Sequence, residues 1–290
     1  MNSESRQCEL ARTLADWLRE HAVVHTAEPS FKLSQGQLSF DRGLFGFSKS
    51  RLGNDPDGLL LEFSARLGMP PELMSQYRQA LKQTGYVGFG FECDGEVKRY
   101  KAYLDLSMQA SPGAQNLLSS NDSRLQFLGF KWTVAGGGHP VMTEYRAFPL
   151  LSRRSMRRRS LELLGPLTPA QAVVDAAFAI CARDWADRPL EYMEAREPGN
   201  ARVSFDIKFY STSISLCDIR PELEDLAVQL ELATPLDAFL EPIAKSRLGH
   251  LAGGLDRAGT PFLMVYHGVQ RRVTPLPAAP APNLEATADK

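Results

Sequence analysis

The chain has no Cys-x-x-Cys pair: its four cysteines, Cys8, Cys93, Cys181 and Cys217, are scattered over 290 residues. That spacing excludes a zinc knuckle and a dense disulfide framework, and it predicts reduced, mostly buried thiols. Neither sign of charge dominates, with 33 Lys plus Arg against 34 Asp plus Glu. The whole-chain field therefore gives no reason to expect nucleic acid or an anionic membrane as partner, and any anion site must be local. No window approaches the ~20 apolar residues that span a bilayer. The N-terminus shows no basic stretch followed by an apolar run, so a cytoplasmic protein is expected. No low-complexity linker interrupts the chain before its Pro/Ala-rich end, which favours one domain over 1–273 and a disordered tail over 274–290. The glycine run Ala135-Gly136-Gly137-Gly138 is followed by no helix start and no Lys-Ser/Thr, which rules it out as a phosphate loop.

What the chain does have is alternation with its polarity turned inside out. In VKRYKAYLDL, Arg99, Lys101, Tyr103 and Asp105 share one face of a strand, while Tyr100, Ala102, Leu104 and Leu106 share the other. VSFDIKFY repeats the arrangement, with Ser204, Asp206, Lys208 and Tyr210 opposite Val203, Phe205, Ile207 and Phe209. A half-buried strand on an open sheet gives the same pattern. Paired strands recurring between helices, which can cover the apolar sides, point instead to a closed sheet with a polar lumen.

Along the chain, an amphipathic helix over 5–24 carries Leu10, Leu14, Trp17 and Leu18 on one stripe. Strand-like pieces flank Gln35-Gly36 and GLFGFSKSRL continues them. Asp55-Pro56 starts a helical region that Pro70-Pro71 divides and Thr84 ends. YVGFGFEC and VKRYKAYLDL form a hairpin about Asp94-Gly95. Gly88 and Gly90 either leave room in the lumen or mark bulges. LQFLGFKWTV and PVMTEYRAF pair across the glycine run. The arginine-rich RRSMRRRSLELLG reads as a solvated face. A helix over 168–182 precedes a hairpin of VSFDIKFY with SISLCDI, then helices over 221–232 and 236–244. HLAGGLDRAGTPFLMVYHGV makes the last hairpin. His250 and His267, isolated near strands, read as core residues rather than bases or ligands.

Five strand pairs with intervening helices, Lys-x-Tyr in RYKAYL and DIKFYS, and the final GGLDRAGTPFLMVYHG resemble the ABBA-type, or PT-barrel, aromatic prenyltransferases over roughly Ser30 to Gly268. The resemblance implies an α+β fold, a ten-stranded antiparallel β-barrel with a polar lumen inside a ring of helices. It also implies transfer of a prenyl group from an allylic diphosphate, dimethylallyl or geranyl, to an electron-rich acceptor: an indole, a phenol or an aromatic residue of a peptide. By the same resemblance this is an enzyme of secondary metabolism, expected as a monomer.

On that footing Lys101 and Lys208, with Arg99, are candidates to hold the diphosphate, and Tyr103, Tyr210 and Tyr266 to shield the allylic cation from water. Met264 stands where a basic residue is expected before Tyr266, so Lys131, Arg146 or Arg51 is asked to supply the missing contact. Asp206 occupies a position that carries arginine in indole-specific relatives, which weighs against that subgroup. Glu92 and Glu144, on strands by parity, are candidate catalytic bases, with a structural role open for each. Asn54-Asp55-Pro56-Asp57 reads as a helix cap, so no protein-ligated metal is expected and magnesium enters only with the diphosphate. Two other readings stay open: a non-catalytic barrel that sequesters an apolar or anionic small molecule, and a pair of α+β domains carrying these residues outside.

Overall fold

In the computed structural model, which describes residues 8–107, 122–134, 138–232 and 236–272, VKRYKAYLDL and VSFDIKFY become strands with their polar sides turned inward. Five antiparallel hairpins follow one another. They are β1 (His25–Ser34) with β2 (Gln37–Ser48), β3 (Tyr86–Asp94) with β4 (Val97–Asp105), β5 (Arg124–Thr133) with β6 (Val141–Ala147), β7 (Glu191–Arg196) with β8 (Val203–Lys208), and β9 (Leu248–Leu255) with β10 (Pro261–His267). Neighbouring hairpins pair in sequence order, and β10 returns to β1 through Ser30↔Tyr266 to Ser34↔Phe262, closing a ten-stranded barrel. Gly268, at φ +58°, then bends the chain so that β11 (Gln270–Arg272) continues along the same edge of β1. Positive φ at Gly36 and Gly95 makes two of the tight hairpin turns, conformations that a Cβ would strain.

The apolar faces point outward and need a cover, which the helices provide. α1 (Glu9–Glu20), α2 (Pro56–Arg66) and α3 (Pro71–Leu81) pack over β2 to β5 around Trp17, Phe63, Phe89 and Trp132. Asp55 caps α2 by accepting from the Gly58 amide at 2.9 Å, and Pro70-Pro71 separates it from α3, as their chemistry requires. α4 (Arg153–Leu164), α5 (Thr168–Asp184), α6 (Arg220–Gln229) and α7 (Leu236–Leu240) pack over β8, β9, β10 and β1 around Phe31, Phe205, Val173 and Leu223. Two apolar layers thus lie outside the wall, and the polar groups are left to the inside.

Three expectations are corrected. SISLCDI is not a strand: Ser215 and Asp218 form a reciprocal capping box that starts a 3-10 turn at Leu216–Ile219. The partner of VSFDIKFY is the preceding EYMEAR, reached by a turn with Gly199 at φ +77°. The cysteines are not all reduced, because Cys8 at the start of α1 is joined to Cys93 on β3, leaving Cys181 buried and Cys217 exposed as free thiols. Residues 85 apart carry no local signal of such a bond; only the docking of α1 brings them together. The glycine-run turn at 135–137 and the tail beyond 272 lie outside the described residues. Among the described residues no helix is long and apolar enough to cross a membrane.

Candidate active site

Inside the wall lies a cavity of about 520 Å³. Most of its lining follows strand parity: Lys32 from β1, Arg42 and Leu44 from β2, Gly88 and Glu92 from β3, Arg99, Lys101 and Tyr103 from β4. Phe127 and Lys131 from β5, Tyr145 from β6, Asp206 and Lys208 from β8, His250 from β9 and Tyr266 from β10 complete the circuit. Glycine where these side chains are large keeps the space open. A Cβ on Gly129 would stand 3.0 Å from the Tyr145 ring and 3.2 Å from the Tyr103 ring, which pack edge to face with centroids 5.8 Å apart.

One side of the lumen is a cation cluster built on Glu92. Arg42 Nη2 donates to its Oε1 at 2.5 Å, and Lys101 Nζ donates to the same oxygen. Lys131 Nζ is 3.1 Å from Oε2 and Arg99 Nη1 is 3.9 Å away. The register explains the convergence, since Arg42 faces Glu92, Glu92 faces Arg99, and Lys101 faces Lys131 across adjacent strands. Burial alone would raise the Glu92 carboxyl, but Lys101, Lys131 and Arg42 outweigh it and hold it well below the usual carboxylate range. Burial, opposed by Glu92 and helped by Lys131 and Arg42, brings the Lys101 ammonium down to about 7. Lys32 is also lowered, chiefly by burial and then by Arg42.

The second charged array is on the β8–β9 side. Imidazole Nδ1 of His250 lies 2.8 Å from Asp206 Oδ1, its Nε2 contacts the Tyr210 hydroxyl, and that hydroxyl reaches both Glu28 oxygens at 2.7 Å. Burial acts to lower His250, yet Asp206 and Glu28 prevail and its pKa is raised. An imidazolium fits the contacts: Nδ1–H donates to Asp206, Nε2–H to the Tyr210 oxygen, and Tyr210 O–H to Glu28. Glu28 is itself raised, by burial first, against the pull of His250. Tyr103, Tyr145 and Tyr266 are all raised by burial and stay phenolic at neutral pH.

The structure distributes the residues singled out from sequence as follows. Arg99, Lys101, Lys131, Lys208, Glu92, Tyr103 and Tyr266 line the cavity. Lys101 and Lys208 belong to different clusters, however: Lys208 pairs with Glu191 at 2.8 Å and lies over the Phe127 ring, four strands from Lys101. Glu144 and Arg146 are corrected: Thr143 and Tyr145 of β6 line the cavity, so the alternate residues face outward, where Glu144 and Arg146 pair at 3.6 Å. Arg51 is exposed on the 3-10 turn after β2, away from the lining. Tyr210 lies beyond the end of β8 and is 42% exposed, so it closes the His250 array and does not line the cavity. Glu92, held ionised by four cations, has the electrostatics of a counter-ion and not of a base. Among the arginines of α4, Arg157 pairs with Asp175, Arg158 with Glu162, and Arg153 donates to three backbone carbonyls.

Sequence reasoning missed Lys32, Arg42, Tyr145, Glu28 and the role of His250. Parity carries the first of these: Glu28, Ser30 and Lys32 alternate within β1, but Pro29 masks the strand's start. Arg42 stands between Asp41 and Gly43, a turn-like triplet that β2 carries beside an irregularity in its pairing with β1, between Ser30↔Arg42 and Lys32↔Ser39. Its Nη2 lies 3.3 Å from Met264 Sδ, so a cation is present at the Met264 position after all, delivered from β2 past the intervening β1. Among the described residues no cluster of three His, Cys, Asp or Glu side chains could hold a metal ion.

This architecture is the ABBA, or PT-barrel, fold. A solved 6-dimethylallyl tryptophan synthase shares it at 16% identity, with 83% of this chain and 80% of that one aligned at a TM-score of 0.51. The 6-dimethylallyltryptophan synthase from Micromonospora olivasterospora, in complex with DMASPP and Trp, aligns at 17% identity over 83% and 81% of the two chains, again at 0.51. No protein-family model and no curated protein matches the sequence.

Proposed function

We propose that the barrel transfers an allylic prenyl group from its diphosphate to an aromatic acceptor held in the same cavity. The observation that carries this reading is the meeting, inside one closed wall, of a surplus of cations with a belt of tyrosines. Arg42, Lys101, Lys131 and Arg99 line the lumen on one side, and Tyr103, Tyr145 and Tyr266 stand around the space next to them. In the reaction the allylic C–O bond breaks, the electron pair leaves with the diphosphate, a bond forms from the aromatic ring to the prenyl carbon, and the ring loses a proton. Cations fixed at the leaving group stabilise charge that grows in the transition state. Aromatic faces stabilise the allylic cation by ~0.5–2 kcal/mol each and keep water from it. The proton has a destination on the opposite wall in the Asp206 carboxylate, which lines the cavity beside the His250 imidazolium.

The similar structure that holds DMASPP and Trp makes dimethylallyl diphosphate and tryptophan the first pair to try. Geranyl diphosphate, other indoles, phenols and aromatic peptides follow, each read by mass. The expected result is an acceptor heavier by one prenyl group, with kcat/KM reduced about a hundredfold in Lys101→Ala. Binding of a prenyl diphosphate without any covalent product across that panel would replace the enzyme with a sequestering barrel.

A further inference from the structure

The Glu92 carboxylate has more partners than one anion can satisfy. Arg42, Lys101 and Lys131 each reach it, and among the described residues none of the three pairs with another carboxylate; only Arg99 has a second, Asp94 at 3.6 Å. The carboxylate is 4% exposed, whereas Lys131 is 37% exposed and opens toward the cavity. Arg42 also keeps its Nε buried without a hydrogen-bond acceptor. A buried guanidinium with an unused donor, beside two lysines that share one oxygen-bearing group, is a site short of negative charge and of acceptor atoms.

We propose that Glu92 is the internal counter-ion of the diphosphate site, holding in the free protein the cations that the diphosphate oxygens take over on binding. The inference rests on the reading of this wall as an allylic diphosphate site and adds a specificity-determining residue to it. Without a fixed carboxylate, buried cations from three strands would repel one another; Glu92 keeps them together and aimed at one point. A carboxylate offers two oxygens and a single charge. A diphosphate brings more of both, so it displaces Glu92 from its shared donors, and an anion with fewer oxygens gains little by the same exchange. The same competition limits how tightly the diphosphate product is kept, because Glu92 returns to its donors as the product leaves.

The test is calorimetric titration of wild type and Glu92→Gln with inorganic diphosphate and with inorganic phosphate, at about pH 6, below the Lys101 value of about 7. Glu92→Gln is expected to bind inorganic diphosphate about tenfold more tightly, and to discriminate less between diphosphate and phosphate. Equal or weaker diphosphate binding by a folded Glu92→Gln protein overturns the proposal. Should circular dichroism show that this variant is unfolded, Glu92→Asp decides: its charge is kept one methylene further back, and about threefold tighter binding is expected, an unchanged Kd being the overturning result. The two readings fail separately. Tighter binding by Glu92→Gln in a protein that prenylates nothing sinks the activity and leaves the counter-ion; prenyl transfer by wild type with no tightening in the variants sinks the counter-ion alone.

Discussion

His250 is held charged by Asp206 at one ring nitrogen and by the Tyr210 and Glu28 pair at the other. Its pKa is raised above the ordinary value of about 6.5. Between the unfolded and the folded value the native state binds the extra proton, so this stability is fully present below about pH 6.5 and is lost as pH rises through the folded value. His250→Gln should therefore flatten the fall of the urea midpoint as pH rises above about 6.5; a fall as steep as wild type would mean that the array does not hold a proton. The residue scale is also where the sequence was least legible. Lys101 and Tyr103 could be assigned to a polar face by alternation, but the identity of their neighbours could not, because Arg42 and Lys131 approach from other strands. A histidine 44 positions from its aspartate carries no pattern that announces the pair.

Among the elements, α2 shows how the wall is kept in shape. Phe63 is 2% exposed, stacks on Trp17 of α1 with centroids 4.2 Å apart, and meets the Phe89 ring of β3 edge on at 5.2 Å. It lies behind the barrel wall and lines no part of the cavity. Phe63→Ala should cost about 3–5 kcal/mol in urea unfolding, while ligand affinity of the folded fraction is unchanged. A loss under about 1 kcal/mol would show that α2 is not needed to brace β3. The hairpins with Asp-Gly or with long alternation were legible because turn chemistry and period 2 are local properties. EYMEAR was not, since a six-residue strand with three charges looks like a surface segment until β6 and β8 flank it.

For the whole molecule the decisive event is the pairing of β10 with β1, neighbours in the ring and the barrel strands furthest apart along the sequence. His267, at the end of β10, is 5% exposed, its ring 5.8 Å from Phe31, and burial lowers its pKa to about 4. The unfolded chain binds this proton from about pH 6.5 downward and the folded chain does not. Stability from His267 is therefore present above about 6.5 and lost as pH falls through 4, by about 3 kcal/mol in full. His267→Leu should remove that acid limb, seen as urea midpoints that change less between pH 7 and pH 4.5; an unaltered limb would place the acid sensitivity elsewhere.

The amino-acid order determined on its own which face of each strand is polar, where most turns fall and which stretches are helical, because these depend on residues a few positions apart. It also carried the inside-out polarity from which a lumen follows. Tertiary structure alone decided which charges meet. Glu92 became a counter-ion, Glu144 an outward-facing residue and Met264 the neighbour of an arginine through strand register and ring closure, which bring together side chains up to 222 positions apart. No periodicity within one strand contains that information.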